Sequence, residues 1–141
     1  MRNMSSGEWH QFLLTGTRTA KAATVRPDGR PHLAPVWFVL DGDELIFCTS
    51  KQSVKGRDLA RDGRTCLCVD DDRPPFAFVL IEGSVTLSED LEQMRHWATR
   101  IGERYMGPEH AQDYGARNAV PGGLLVRVNP RRIIAQAEIA A

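Results

Sequence analysis

Residues Thr24–Leu67, TVRPDGRPHLAPVWFVLDGDELIFCTSKQSVKGRDLARDGRTCL, decide the fold. Short apolar runs are separated by the turns Pro27-Asp28-Gly29 and Asp41-Gly42-Asp43. Pro at the second turn position and Gly after Asp suit tight reversals, so the runs read as a β-meander. The third run leaves through Thr49-Ser50-Lys51 into a basic segment, Lys51–Arg64. A meander that delivers its last strand to a cluster of cations implies a scaffold for an anionic cofactor.

Working outward, Ser5-Ser6-Gly7-Glu8 is an N-cap pattern ahead of Trp9, Phe12, Leu13 and Leu14, and predicts a helix over 6–15. Strands are predicted over 20–25, 32–40, 44–49, 65–70 and 76–87, with a bulge or bend at Gly83. A helix over 53–62 places Val54 and Leu59 inward and Lys55, Arg57, Asp58 and Arg61 outward. Ser88-Glu89-Asp90 caps a helix over 91–105 whose apolar face is Leu91, Met94, Trp97, Ala98 and Ile101. A short helix over 109–117 follows Gly107-Pro108. The last strand region, 124–138, is expected to be interrupted at Pro130. Six strands with helices at separate points predict a mainly β fold: a six-stranded antiparallel barrel with peripheral helices, one domain over 1–141.

Composition narrows function. Lys+Arg and Asp+Glu balance at 18 each, so no global field draws the chain to nucleic acid or an anionic membrane. No apolar run approaches the roughly 18 residues that span a bilayer. The polar start, MRNMSSGEWHQF, does not read as a secretory signal, and three cysteines argue for a reducing compartment. The expected location is the cytosol.

The sharpest local signal is Lys51, Lys55, Arg57, Arg61 and Arg64 around a helix start, where free N–H groups add partial positive charge for a phosphate. A solvated helix face is the plainer reading of the same charges, and Arg57-Asp58 would then be a surface pair. In Pro35-Val36-Trp37-Phe38, alternation sets Val36 and Phe38 on one face and Pro35, Trp37 and Val39 on the other. Pro35 cannot donate to a ladder, which places this segment at an edge or split where a flat heterocycle would find open backbone. The plainer reading is core. Cys48, Cys66 and Cys68 form no CxxC pair. His10, His32, His96 and His110 show no metal-binding spacing, and Asp70-Asp71-Asp72 lacks the rest of a calcium loop; no metal is expected. No catalytic triad, P-loop or GxGxxG stands out, which fits a cofactor that brings its own chemistry.

Gly29–Phe38, Cys48-Thr49-Ser50-Lys51 and Lys55-Gly56-Arg57-Asp58-Leu59, with the later Arg104–Gly107 and Val120-Pro121-Gly122, resemble the split-barrel flavin-binding proteins related to pyridoxamine 5'-phosphate oxidase. More narrowly they resemble the branch that binds the deazaflavin coenzyme F420, flavin/deazaflavin oxidoreductase group B. The resemblance implies a homodimer with cofactor sites at the interface. It places Pro35, Val36 and Trp37 along the tricyclic ring, Thr49 and Ser50 at the ring or ribityl chain, and Lys55 on the phosphate. Lys51 and Arg57 would meet the longer anion of F420, whereas FMN ends in one phosphate. Val128–Ile133 lacks the Arg-Leu segment by which the oxidases recognise substrate, so pyridoxamine phosphate is not the expected substrate. The implied activity is hydride transfer from reduced F420 to a small electron-poor acceptor, with solvent, Tyr105 or Tyr114 as proton source. The alternatives are an FMN-dependent reductase or oxidase of the same fold, or a non-enzymatic carrier of flavin, deazaflavin or haem. The dimer is also expected from packing, because Trp9, Phe12, Met94, Trp97 and Ile101 look like surface that a second subunit would cover.

Overall fold

The computed structural model describes residues 1–141. It contains strands β1 (Arg2–Asn3), β2 (Ala20–Val25), β3 (Pro31–Val36), β4 (Val39–Asp41), β5 (Glu44–Ser50), β6 (Arg64–Asp71), β7 (Ala77–Ser88) and β8 (Gly123–Ala137). The helices are α1 (Ser6–Leu14), α2 (Val54–Arg61), α3 (Leu91–Met106) and α4 (Pro108–Asn118). All pairings are antiparallel, in the order β3-β2-β6-β7-β8-β5-β4, with β1 on the far end of β8. The two edge strands, β3 and β4, are joined by only Trp37 and Phe38, so the sheet must curl until its edges meet. Peptide bonds rather than ladder hydrogen bonds close the barrel at that seam, which makes it split.

Eight strands replace the six expected. The predicted strand over 32–40 breaks at the seam, and Arg2–Asn3 adds a short one. Pro130 does not interrupt β8, which runs through it for 15 residues. Gly83 faces Pro130 and Glu82 faces Arg132, leaving Arg131 as the extra residue of a bulge. The bulge tolerates the missing proline N–H. A Cβ on Gly83 would lie 2.4 Å from the Asn129 carbonyl oxygen, so only glycine fits opposite it.

Strand alternation sorts the interior. Leu45 and Phe47 of β5, with Leu124, Val126 and Val128 of β8, face a 17-residue core inside the barrel. Their neighbours Ile46 and Leu125 point outward into a second cluster with Val39, Met94 and Ile101. Trp9 and Leu13 of α1 plug one mouth and Leu59 of α2 the other. α1 begins with a reciprocal cap, Ser5 and Glu8 exchanging backbone-to-side-chain bonds at 3.2 Å. α3, capped by Asp90, lies with α4 across the outside of β4, β5 and β8. The two helices approach through glycine: a Cβ on Gly115 would sit 2.0 Å from Thr99 Oγ1, and one on Gly102 2.7 Å from Tyr114 Cβ.

Two expectations about faces change. Val54 and Leu91 are exposed, whereas Asp58 is only 2% exposed. Asp58 is no partner of Arg57: it accepts the Thr24 hydroxyl at 2.8 Å and Arg61 at 3.2 Å. Of the α1 and α3 residues expected to need a second subunit's cover, Trp9, Met94 and Ile101 are at most 7% exposed and so are buried within the chain.

Candidate functional site

The end of β5 is shaped by backbone. A Cβ on Gly56 would lie 2.0 Å from the Ser50 carbonyl oxygen, so the loop 51–53 folds tightly against α2. Ser53 caps α2 by accepting from Gly56 N–H at 3.0 Å, and its own proton goes to the Ser50 carbonyl at 2.8 Å. Thr49 Oγ1, 2.9 Å from Ser53 Oγ, must therefore donate to it and keeps only acceptor capacity. The Ser50 hydroxyl accepts from Gln52 N–H and has its proton free. One acceptor and one donor thus stand at the strand end, on the opposite faces that alternation gives them.

Cations surround this corner. Lys51, Arg57 and Arg61 line a cleft of about 510 Å³ with Gly56, Ala60, Leu87, Glu89 and Leu124. Lys51 Nζ pairs with Glu89 at 2.9 Å, both side chains half exposed, a surface pair that a polyanion can displace at little cost. The side chains of Arg57, exposed, and Lys55, half-buried, make no ion pair or hydrogen bond with the protein. The first turn of α2 carries no acid. A neighbouring hollow of about 350 Å³ holds Thr49, Ser50, Gln52, Arg117 and Asn118.

The other three expected site residues lie elsewhere. Pro35 and Trp37 are exposed at the end of β3 nearer α1, while Val36 is buried among the barrel core residues. Tyr114 joins Trp37 to the hollow of Thr49 and Ser50, because Arg117, one wall of that hollow, lies 5.4 Å from the Tyr114 ring centroid. One face of Trp37 already stacks on Tyr105, with ring centroids 4.8 Å apart and planes within 3°, and Tyr114 lies 5.6 Å away. Tyr105 donates its hydroxyl proton to the Arg18 carbonyl at 2.7 Å and accepts from Phe38 N–H at 3.2 Å. Burial pushes its phenol up further, so this proton is committed to the fold. The Tyr114 hydroxyl has no protein partner.

Sequence reading named Arg104 only as part of the segment Arg104–Gly107 and missed its role. Its guanidinium donates to the carbonyls of Leu13, Gly16 and Phe38 at 2.6–3.1 Å and lies over the Phe38 ring, tying α1 and the seam to α3. Nothing in the local pattern marks that role, because its partners are carbonyls more than sixty residues away. No cluster of metal-ligating side chains exists. No helix is long and apolar enough to cross a membrane.

An antiparallel barrel joined through its chain at one seam, with a cation-lined corner at the exit of the meander, defines the split-barrel class. The family model for pyridoxamine 5'-phosphate oxidase matches residues 7–137, and the chain belongs to that family. Among solved structures, a conserved hypothetical protein of Mycobacterium tuberculosis is 30% identical, with 96% of this chain and 86% of that one covered and a TM-score of 0.84. An F420 reductase is 25% identical over 87% of this chain and 94% of its own, with a TM-score of 0.71. The haem storage protein HutZ of Vibrio cholerae is similar in fold alone: 18% identity over the whole of both chains, TM-score 0.74. No protein of curated function matches.

Proposed function

We propose that this chain is an F420-dependent oxidoreductase acting on a small, electron-poor organic acceptor. The observation that carries the reading is the pair of uncompensated cations, Lys55 and Arg57, on the acid-free first turn of α2, beside a cleft that also holds Lys51 and Arg61. An anion with charge spread over its length suits four cations better than a single phosphate does. The 25% identity to an F420 reductase supports the same cofactor. The donor set fits: Lys55 and the first N–H groups of α2 hold a phosphate, Lys51 and Arg57 hold a carboxylate tail, and Thr49 and Ser50 accept from and donate to a polyol. The exposed rim of Pro35 and Trp37, with the backbone of Val36, supports the edge of the ring. When bound, the deazaflavin supplies the hydride. With Tyr105 committed, Tyr114 is the tyrosine able to hold or give a proton at the acceptor, and burial keeps its phenol protonated well above neutral pH.

A homodimer belongs to the same reading. The outer face of β3-β2-β6-β7 is covered by no helix, and it carries Leu33, Ala23 and Cys66 in one row and Pro35, Lys21, Cys68 and Leu80 in the next. A second copy placed on that face would bring a second wall to Pro35 and Trp37.

Parallel titrations with F420 and FMN, followed by an acceptor screen, test the proposal. Tighter binding of F420, weakening with salt and strengthening with each added tail glutamate, is expected. Tighter binding of FMN would move the reading to an FMN-dependent reductase or oxidase. Binding of either with no acceptor reduced would make the protein a carrier.

A further inference from the structure

We propose that Arg26, Arg57 and Arg61 form a second anion pocket, distinct from the corner around Lys51 and Lys55, that takes a phosphate or carboxylate group. The three guanidinium groups line a cleft of about 290 Å³ between the β2–β3 turn and α2, with Pro27, Val54 and Asp58 as its other walls. The turn is fixed by Arg26 N–H to the Arg30 carbonyl and Gly29 N–H to the Arg26 carbonyl, both 2.9 Å, so Arg26 leaves from a rigid base. Its side chain finds no carboxylate. One terminal nitrogen contacts His32 Nδ1 at 3.3 Å, and Nε is buried with no partner at all.

The acids nearby are already used. Asp58 is buried, with one oxygen accepting Thr24 and the other Arg61, which also donates to the Val25 carbonyl. Asp28 on the turn is held by Arg30 at 2.7 Å. Arg57 has no partner. Three guanidinium groups therefore face one spent carboxylate, and one of them is partly desolvated. Such an arrangement is costly alone and is offset by an oxyanion between Arg26 and Arg57. Planar forks match carboxylate and phosphate oxygens in pairs, which a cluster of lysines would not do. Arg57 and Arg61, one turn apart on α2, line both clefts and form the ridge between them. The pocket does not require the cofactor reading to be right, because the charge balance is a property of the chain alone.

Calorimetric titration of the full chain with inorganic phosphate tests this, alongside Arg26→Met, Arg26→Lys and Lys55→Ala. Circular dichroism and melting without phosphate establish that each variant is folded. Inorganic phosphate also meets the Lys55 corner, so the expected result is two sites in wild type and one in Lys55→Ala. The surviving site is about tenfold weaker once Arg26→Met is added and intermediate with Arg26→Lys, which keeps the charge and loses the fork. Arg26→Met binding phosphate as wild type does would overturn the proposal. So would loss of all binding in Lys55→Ala, or no binding by the folded wild type at millimolar phosphate. Repeating the titration with F420 or FMN bound separates the sources of the anion. Phosphate still bound assigns the pocket to the acceptor. Phosphate displaced, with cofactor affinity lowered in Arg26→Met, assigns it to the cofactor's own anion.

Discussion

At the scale of single residues, Lys55 is the most direct test of the cationic corner. Its charge is unpaired and half-buried beside the α2 N-terminus. Lys55→Ala should weaken F420 binding by about 1.5–3 kcal/mol, the range for hydrogen bonds to charged groups, with the melting temperature nearly unchanged. A dissociation constant within twofold of wild type would remove Lys55 from the site. Cys48 makes a pH prediction. Burial behind α3 and α4 lifts its thiol from 9.0 to about 11. Between those values the unfolded chain has lost this proton and the folded chain keeps it, so stability falls as pH rises through the window. Urea melts from pH 8 upward should show that fall, and Cys48→Ala should flatten it. The cations were legible in sequence because charge near a helix start is a local pattern. Asp58 was not: its burial depends on Thr24, 34 residues back on another strand, and among Lys-Gly-Arg-Asp-Leu-Ala-Arg it looks like one more surface charge.

Among the elements, the α3–α4 pair carries the aromatic corner. Gly115 meets Thr99 and the Arg95 carbonyl so closely that a methyl group must push the helices apart. Gly115→Ala is expected to cost about 1–3 kcal/mol, as overpacked sites do, and to loosen Tyr114 from Trp37. A lower denaturation midpoint together with a changed near-ultraviolet circular dichroism signal would show both effects; an unchanged signal would mean the stack does not depend on helix spacing. Helix positions followed from caps and periodicity, as at Ser5 and Asp90, because those signals lie within one turn of the chain. The ends of strands were harder. Trp37 and Phe38 sit in a run of β-prone residues, and only the meeting of distant edges splits that run. Pro130 argued for a break, yet the bulge opposite Gly83 absorbs it, a compensation supplied by β7 nearly fifty residues earlier.

For the whole molecule, the second subunit is the open issue that a single measurement addresses. Leu33 is 65% exposed on β3, at the edge of the uncovered sheet face. Light scattering at micromolar concentration should give about twice the 15.7 kDa chain mass, and Leu33→Glu should give the chain mass. A wild-type monomer that still binds cofactor fully would place the site within one barrel. The packing argument for a partner, which stands beside the family resemblance, loses Trp9, Met94 and Ile101, because the chain itself buries them. Sequence patterning identifies which residues are apolar and leaves open whether the same chain or another one buries them.

The seam between β3 and β4 carries a consequence for how the protein behaves in crowded solution. Pro31 and Pro35 cannot donate, so the β2–β3 ladder must use the alternate residues His32, Ala34 and Val36. The backbone groups of Pro31, Leu33 and Pro35 then face outward, and Leu33 supplies the one N–H along that edge. A free edge with a full set of donors templates the addition of foreign strands and the growth of fibrils. This one offers three carbonyls and a single donor, too few to seed a ladder. The open seam is thereby kept from recruiting a neighbouring chain into aggregates.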